Sequence, residues 1–456
     1  MGTAAGEGSR ALSTSEALLW QAETSGLRLP VIGVAELDGT PDLTALTAAV
    51  QRIIRHNALL RSRVTGPRLF LGGPRWEALD EVALSHHIRR TALPGAAGQT
   101  ELLELAQAAA TAPFDKNRPL WDVLLVERVQ GDNAALVMRL HHAMVDGLRA
   151  LELFSSLCDE LAPPPSPNRL SLITQEQEVA DSPLLDGRLP WHGVGAGAVR
   201  AGLRFLGSGV RHMATAGAGL QASRSALCLP ADHSPALAGR SQDRRLLTLT
   251  APKEQLRRAG RTVGGTTHDA FLAAVVGGLH HYHRAVGLSW DRVPMAVAVA
   301  LPAWPGEARN RFTGVRLAGA TGEEDVRRRL EQTYRSVRAA RALPPIDPDR
   351  LGPLSPLLAA APAKAVRVLT DLVTESDAHC TYVPGPDERR SIAGKGLTRL
   401  FAFAPVVNSA LSVAMCSYDG TCAIGVNIDP RAVKDVELLH SSLRAGLDEV
   451  LSLGGR

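Results

Sequence analysis

Strand-like and helix-like apolar patterns alternate along both halves of this chain, and the alternation restricts its fold more than any other feature. In the first half, two strand patterns flank a Gly131-Asp132-Asn133 turn and a helical pattern follows them: Trp121–Val129, Ala134–Leu140 and Leu148–Leu161. In the second half, Leu411–Cys416 and Thr421–Val426 flank an Asp-Gly turn. Because helical patterns separate the strands in both halves, the sequence predicts an α/β fold.

Polar residues mark the expected beginnings of several helices. Thr266 and Asp269 have the spacing of a capping box, in which two side chains satisfy backbone N–H groups of the first turn. Thr321 and Glu324 have the same spacing before another helical pattern, and Asp435 precedes the last one.

The length of 456 residues is too great for one simple core, so we expect two domains. The proline-rich run from Ala162 to Pro167 predicts a stiff linker after the first of them. The predicted division is an N-terminal domain over residues 1–165, a helical linker over 166–245 and a C-terminal domain over 246–456.

One segment of this linker, residues 199–220, has a helical apolar face, while Arg200, Arg204 and Arg211 share another face. A basic amphipathic helix can lie on the surface of a membrane or lipid droplet. The same pattern also fits a helix that packs across the two domains with its arginines in water. Both interpretations stay open from the sequence.

The composition excludes several classes of protein. Apolar residues make up 45% of the chain and charged residues 21%, as in globular proteins, and a net charge of +4 gives no support for nucleic-acid binding. Five cysteines without a Cys-x-x-Cys pair favour a reducing compartment. Since the first residues have no signal-peptide core and no long apolar run occurs, we expect a cytoplasmic protein, peripherally attached to the inner membrane or lipid inclusions if the linker helix lies on lipid.

The strongest functional signal is a His-His-Ala-Met-Val-Asp-Gly run, which begins at His141 and His142 directly after a strand and ends at Gly147. It places two imidazoles, the Asp146 carboxylate and a flexible glycine at one chain reversal. A neutral imidazole can take the proton of an attacking hydroxyl near pH 7 and return it to a leaving thiolate. The run therefore indicates acyl transfer from a thioester to an alcohol, without a covalent enzyme intermediate. We expect His142 to act as the base while packing holds His141.

The aspartate and the glycine have expected supporting roles. Asp146 can hold an imidazole directly or fix the loop through an arginine elsewhere in the chain. Gly147 would keep a channel open where a side chain would block it.

Other interpretations of the motif are open. His141 and His142 could simply end a strand, with Asp146 and Gly147 in a turn. A metal site would need a third ligand beside His142 and Asp146, and none is evident nearby in the sequence. We therefore predict no metal and no cofactor.

Two similar-looking patterns are predicted to have no catalytic role. The doublet His280-His281 lacks the following Asp-Gly and is expected to be structural, together with His283, at the end of a helix. The arginines from Arg327 to Arg341 could meet CoA phosphates, but a solvated helix face is the preferred interpretation.

The histidine run resembles the active-site motif of the CoA-dependent acyltransferase superfamily, which includes chloramphenicol acetyltransferase and nonribosomal condensation domains. Further segments are similar to the bacterial wax ester synthase/diacylglycerol acyltransferase family, in the same order along nearly the whole chain. They are Ala11-Leu12-Ser13, Pro113–Trp121, Thr267-His268-Asp269, Asn310-Arg311, Val383-Pro384-Gly385-Pro386 and Ser417-Tyr418-Asp419-Gly420.

The resemblance implies two chloramphenicol-acetyltransferase-like α/β domains with a substrate channel at their interface. Acyl-CoA would enter from one side and the alcohol from the other, and both would meet at His142 as the general base. Asp146 would be mainly structural, and Gly147 would keep the channel clear. The positions implied to bind substrate or support the reaction centre are Pro119, Leu120, Trp121, His268, Asp269 and Asn310.

The chain departs from the family pattern at three places. His268 stands where the family usually has asparagine, and a histidine can still donate a hydrogen bond although its charge would vary with pH. Thr381-Tyr382 replaces Ser-Asn before the Val-Pro-Gly-Pro segment, and Arg309 replaces glycine before Asn310. These changes leave the base intact and bear on the choice of acceptor.

The expected function is transfer of a fatty acyl group from acyl-CoA to a long-chain alcohol or diacylglycerol. The alternative is an acyltransferase of specialised metabolism, with a non-lipid alcohol or amine acceptor and a CoA or carrier-protein donor. The changes at His268 and Tyr382 motivate this alternative. The intact His142, Asp146 and Gly147 argue against a non-catalytic lipid-binding protein.

Overall fold

Two mixed six-stranded sheets form the centre of the protein. The computed structural model describes residues 9–24, 27–66, 73–94, 98–159, 232–300, 312–342 and 358–455. The first sheet contains, from edge to edge, β12 (Ser391–Ile392), β13 (Lys395–Phe403), β2 (Pro30–Leu37), β7 (Ala134–His141), β6 (Trp121–Glu127) and β5 (Ile88–Ala92). The second contains β10 (Phe312–Gly319), β9 (Val293–Ala300), β11 (Ala378–Pro384), β14 (Leu411–Tyr418), β15 (Thr421–Ile428) and β8 (Arg245–Pro252). A small sheet joins β1 (Ser9–Ala11), β4 (Arg75–Ala78) and β3 (Ser62–Thr65).

Helices pack on both large sheets, so the predicted α/β class is confirmed. They are α1 (Thr14–Thr24), α2 (Leu43–His56), α3 (Gln99–Thr111), α4 (Gly147–Leu157), α5 (Lys253–Arg261), α6 (Thr267–Ala285), α7 (Val326–Arg341), α8 (Ala363–Thr374) and α9 (Val436–Gly454). Helix α6 is buried along most of its length because it packs against α9 in the core of the second sheet. At their crossing a Cβ atom on Gly278 would lie 2.6 Å from the Leu443 side chain, so glycine permits this close contact.

The predicted hairpin that leads to the histidine run is confirmed. Strands β6 and β7 pair antiparallel, with Trp121 opposite Leu140 and Glu127 opposite Ala134. The turn between them has positive φ angles at Arg128, Gln130 and Gly131. Because β7 lies between β6 and β2 in the sheet, its C-terminal end is fixed from both sides where His141 ends the strand.

One strand pair crosses from the C-terminal half into the first sheet. Strand β13 pairs antiparallel with β2, with Phe401 opposite Val34 and Phe403 opposite Ile32. The predicted C-terminal domain over residues 246–456 therefore needs a correction, because residues 391–403 belong to the N-terminal sheet. Pairing between segments more than 350 residues apart has no local sequence signal.

The predicted helix starts are confirmed at two places and wrong at a third. Thr266 and Asp269 form the capping box of α6, and the Asp435 side chain accepts from the backbone N–H of Leu438 at the start of α9. Helix α7 is capped by Asp325 instead of the Thr321 and Glu324 pair. The predicted basic helix at residues 199–220, with Arg200, Arg204 and Arg211, and the linker boundary at residue 165 lie outside the described residues.

Candidate active site

A cavity of about 730 Å³ lies between the two large sheets and receives side chains from both. Most of its wall is apolar, with contributions from α1, α4, β7 and β13. Examples of these lining residues are Leu18, Leu151, Phe154, Met138, Leu400 and Phe401. His142, Asp146 and Gly147 also line it. The histidine run therefore opens into a space whose chemistry suits an acyl chain.

Backbone hydrogen bonds fix the two histidines at the end of β7. The N–H of His141 donates to the carbonyl of Leu120 (3.0 Å), and the N–H of His142 donates to the carbonyl of Leu29 (3.0 Å). Leu120 directly precedes β6 and Leu29 directly precedes β2, so the two strands that flank β7 hold one histidine each. Since successive residues of an extended chain point in opposite directions, the two imidazoles have different surroundings.

The His141 ring is fully buried and held on both nitrogens. Its Nδ1 accepts a hydrogen bond from the backbone N–H of Ala143 (2.9 Å), so the proton is on Nε2. Nε2 contacts the Glu23 carboxylate of α1, which is also almost completely buried. The rings of Trp20 and Phe114 pack against the imidazole at centroid distances of 5.9 and 5.6 Å. His141 is thus a buried imidazole with a fixed tautomer.

The His142 ring is only half-buried, because it faces the cavity. The protein that surrounds the cavity removes most water from the ring, and this desolvation lowers the pKa of His142 from 6.5 to about 4. The neighbouring His141 contributes in the same direction. At neutral pH the imidazole is therefore uncharged, which is the protonation state that a proton acceptor needs.

Asp146 and Gly147 begin helix α4. The Asp146 carboxylate accepts from the backbone N–H of Arg149 (2.7 Å) and caps the helix. A Cβ atom on Gly147 would lie 2.8 Å from Cγ2 of Val383 on β11. Gly147 thus lines the cavity and also lets α4 approach the second sheet closely.

The Pro119-Leu120-Trp121 segment is divided among three environments. Trp121 lines the cavity, donates from Nε1 to the Leu60 carbonyl (2.7 Å) and stacks on His87. Leu120 is fully buried in the core, and its carbonyl accepts the hydrogen bond from the N–H of His141. Pro119 lines a second cavity of about 490 Å³, which shares Trp121, Asp122 and Arg139 with the first.

The two family positions on α6 lie behind the cavity wall instead of in it. Asp269 accepts from the backbone N–H of Thr266 (2.8 Å) and is the second member of the capping box. Nδ1 of the buried His268 lies 3.3 Å from an Arg341 Nη atom, and because arginine only donates, the His268 proton is on Nε2. Asn310, the remaining predicted position, lies outside the described residues.

His268 does not change its charge near neutral pH, contrary to the sequence-based expectation. Burial, with a smaller contribution from the Arg341 charge, lowers the pKa of His268 to about 3. Its ring centroid is 6.1 Å from that of Tyr382, which lines the cavity. Two of the three departures from the family pattern are therefore neighbours. Tyr382 lines the cavity, and His268 lies behind Tyr382.

The patterns predicted to be non-catalytic have mainly structural contacts. His280 bonds the carbonyl of Thr321, His283 bonds the hydroxyl of Ser234, and His281 pairs with Glu449. The expectation of a fully solvated arginine face on α7 is wrong at Arg329, which is completely buried and contacts Glu449 of α9. A group of three side chains that could hold a metal ion is absent from the described residues, and no helix in this part of the chain is long and apolar enough to cross a membrane.

Family models match most of the chain in two consecutive parts. The wax ester synthase/diacylglycerol acyltransferase catalytic domain matches residues 12–271, and the C-terminal domain of that family matches residues 309–450. The chain belongs to this family. A diacylglycerol O-acyltransferase-type protein of Mycobacterium tuberculosis strain H37Rv is 31% identical over 438 residues, covering 94% of this chain and 89% of that protein. The protein is therefore an acyltransferase.

Solved structures support the same fold. The wax ester synthase/diacylglycerol acyltransferase from Marinobacter aquaeolei VT8 is similar with a TM-score of 0.64 and 19% identity, covering 98% of this chain and all of that one. The first condensation domain of the calcium-dependent antibiotic synthetase gives a TM-score of 0.62 and 16% identity, covering 99% and 97% of the two chains. The predicted family and two-domain acyltransferase fold are thus confirmed.

Glu23 is the residue of the histidine environment that the sequence analysis missed. It lies on α1, more than 110 residues before His141, and its side chain is 5% exposed. A carboxylate among Leu18, Leu19 and Ala22 on a helix that packs into the core was the available signal, because buried charges need a partner.

Proposed function

We propose that this acyltransferase transfers a fatty acyl group from acyl-CoA to the hydroxyl of a long-chain alcohol or diacylglycerol, with His142 as the general base. The observation that carries the proposal is the contrast between the two imidazoles. His141 is sealed and held by Glu23, whereas the neutral His142 ring faces a large apolar cavity between the two sheets.

The reaction requires one proton to move from the acceptor hydroxyl to His142 and then from His142 to the leaving thiolate. As the acceptor oxygen attacks the thioester carbonyl, the His142 imidazole takes the hydroxyl proton and becomes an imidazolium. The negative charge that develops on the tetrahedral intermediate favours this cation. When the C–S bond breaks, the imidazolium gives its proton to the leaving thiolate, so that the ester and CoA are released and His142 is neutral again. No enzyme side chain is acylated in this sequence.

The apolar wall supports lipid substrates. Burying a methylene group is worth about 0.8 kcal/mol, so a long acyl chain gains binding energy from a wall built by residues such as Leu151, Phe154 and Phe401. The low pKa of His142 agrees with this, since the same exclusion of water that favours the acyl chain keeps the base unprotonated.

The proposal is tested by incubating the purified protein with palmitoyl-CoA and one acceptor at a time, and by measuring free thiol and the ester product by mass spectrometry. The acceptors are 1-hexadecanol, a diacylglycerol and a water-soluble alcohol. We expect thiol release that depends on a lipid acceptor and equals ester formation. Transfer to the water-soluble alcohol alone, or no transfer to any acceptor, would refute the lipid assignment.

Cytoplasmic location and attachment to a membrane or lipid-droplet surface stay predictions from the sequence. The support for attachment is the arginine face of residues 199–220. Replacing Arg200, Arg204 and Arg211 together by glutamine should lower binding to anionic lipid vesicles in a flotation assay. Unchanged binding would mean that this segment does not mediate attachment.

A further inference from the structure

A row of polar side chains crosses the cavity wall formed by the second sheet. Arg316 on β10 is opposite Ala296 on β9, Ala296 is opposite His379 on β11, and His379 is opposite Ser412 on β14. Residues that lie directly opposite on neighbouring strands point to the same face of the sheet. All four residues line the cavity, so three polar groups share one level of a mainly apolar wall.

The geometry of the sheet brings these groups close together. Neighbouring strands are about 4.8 Å apart, which makes His379 and Ser412 adjacent. The Cα atoms of Arg316 and His379 are then roughly 10 Å apart, and only the methyl group of Ala296 lies between them. A long guanidinium side chain can therefore reach the same ligand as the imidazole and the hydroxyl.

The next level of this wall has small side chains. Two residues further along each strand, on the same face, are Gly314, Ala298, Thr381 and Ala414, and all of them line the cavity. This level leaves space for a substrate beside the polar row. The row is about 13 Å along β11 from Val383, the residue that packs against Gly147 at the start of α4.

The hydrogen-bonding capacity of each member is defined. His379 Nε2 lies 3.1 Å from the carbonyl of Thr374, which can only accept, so Nε2 carries the proton and Nδ1 is an acceptor. Burial keeps this ring neutral by lowering the pKa of His379 to about 4. Arg316 can only donate. Ser412 is 1% exposed, and its hydroxyl can donate one hydrogen bond and accept others.

We propose that Arg316, His379 and Ser412 form a polar subsite that hydrogen-bonds a neutral oxygen function of a substrate, away from the reacting hydroxyl and thioester. The inference rests on the proposed function and concerns the specificity of the same cavity. The guanidinium and the serine hydroxyl donate to a carbonyl or hydroxyl oxygen, and Nδ1 of His379 accepts from a hydroxyl or an amide N–H.

The oxygen function could belong to either of the two substrates. An acceptor with ester groups beside the reacting hydroxyl offers carbonyl oxygens, whereas a plain long-chain alcohol offers none. The pantetheine arm of acyl-CoA offers amide and hydroxyl groups. The row could instead have a purely structural role, with Arg316 held by the nearby negative charge of Glu375. Replacing Arg316 would then change kcat/KM by the same factor for every substrate.

The test compares Arg316→Met and Ser412→Ala with the control Arg389→Met. Arg389 is 86% exposed and pairs with Asp419 at the surface, so its replacement removes an arginine without touching the cavity. For each protein, kcat and KM are measured with palmitoyl-CoA and either 1,2-dioctanoylglycerol or 1-hexadecanol. They are measured again with hexadecanol and the palmitoyl thioester of N-acetylcysteamine, which lacks most of the pantetheine arm. Thermal unfolding checks that each variant is folded.

The change in kcat/KM of the Arg316→Met variant shows which substrate supplies the oxygen function. If the acceptor supplies it, Arg316→Met should lower kcat/KM for the diacylglycerol by about tenfold or more and for hexadecanol by less than about threefold. If the pantetheine arm supplies it, the same variant should lower kcat/KM for palmitoyl-CoA and leave the truncated thioester within about threefold. Ser412→Ala should lower kcat/KM for the same substrate, but by a smaller factor than Arg316→Met. Equal losses with all substrates, or none, would overturn the proposal.

Failure of the proposed function can be distinguished from failure of the subsite. If the wild-type protein forms no ester, calorimetric binding of 1,2-dioctanoylglycerol and of a non-hydrolysable palmityl thioether of CoA is measured for the wild-type and Arg316→Met proteins. A Kd that rises about tenfold for one of these ligands supports the subsite without catalysis. No binding by the wild-type protein, or equal Kd values for both proteins, refutes it.

Discussion

The contact between Gly147 and Val383 allows a sharp test of how the histidine run is held against the second sheet. An alanine at position 147 would place its Cβ 2.8 Å from Cγ2 of Val383, whereas carbon atoms in favourable contact are about 3.5–4.0 Å apart. Gly147 does not have a positive φ, so alanine can adopt its backbone conformation. The perturbation is therefore the overlap with Val383, and overpacking of this kind costs about 1–3 kcal/mol.

The consequence is measured with a double-mutant cycle. Gly147→Ala should lower the free energy of unfolding by about 1–2 kcal/mol and the kcat/KM of acyl transfer by about tenfold, because α4 must move away from β11 beside His142. Val383→Ala removes the Cγ2 methyl group that is in the way, so the double variant should recover most of both losses, with a coupling free energy of about 1–2 kcal/mol. Urea unfolding and thiol release provide the two readouts.

Gly66→Ala is the matched control, since a Cβ atom there meets nothing within 4 Å and the φ angle is not positive. This variant should retain wild-type stability and activity. Additive effects of Gly147→Ala and Val383→Ala, or a fully active and stable Gly147→Ala protein, would refute the reasoning.

Three further predictions concern the buried titratable groups. Glu23→Gln removes the charged partner of His141 and should lower both kcat, by about tenfold, and the free energy of unfolding, by about 1–3 kcal/mol; a variant with wild-type kcat and urea midpoint would show that the contact is dispensable. His268 is neutral in the folded protein, with a pKa of about 3, and takes up a proton on unfolding below pH 6.5, so stability is lost as the pH falls. His268→Asn should therefore reduce the loss of unfolding free energy between pH 7 and pH 5 by about 2 kcal/mol, and equal pH slopes for both proteins would contradict this. Because the base is active when unprotonated and the pKa of His142 is about 4, kcat/KM should stay nearly constant from pH 7 to pH 5.5 in a stopped assay, whereas a decline centred near pH 6.5 would indicate a different base.

Local sequence patterns predicted those parts of the fold that local interactions determine. The hairpin before the histidine run, the Asp-Gly turn at Asp419 and Gly420, and the caps at Thr266 and Asp435 all depend on residues within a few positions of one another. The wrong cap at α7 shows the limit of such patterns. The capping-box spacing places the cap at Thr321, whereas Asp325 caps the helix four residues later. Only the path of the chain into the helix decides between the two.

Long-range pairing determines what the sequence could not indicate. Glu23 meets His141 because α1 packs beside the end of β7, and Arg316, His379 and Ser412 share a level because three strand registers coincide. Arg329 has the local pattern of a solvated residue. It is buried because α9 packs over it and brings Glu449 into contact with its guanidinium. The assignment of His142 to the cavity and His141 to the core could be expected from the motif, but the reason for it lies in two strands that are distant in sequence.

The most direct test of the central claim is the rate of ester formation by His142→Ala in single-turnover experiments with palmitoyl-CoA and a saturating lipid acceptor. Removal of a general base should lower this rate by about 10²–10⁴-fold, while the thermal unfolding midpoint and the Kd for the non-hydrolysable CoA thioether stay close to the wild-type values. A folded His142→Ala protein that binds the thioether and forms ester within about tenfold of the wild-type rate would contradict the assignment of His142 as the base.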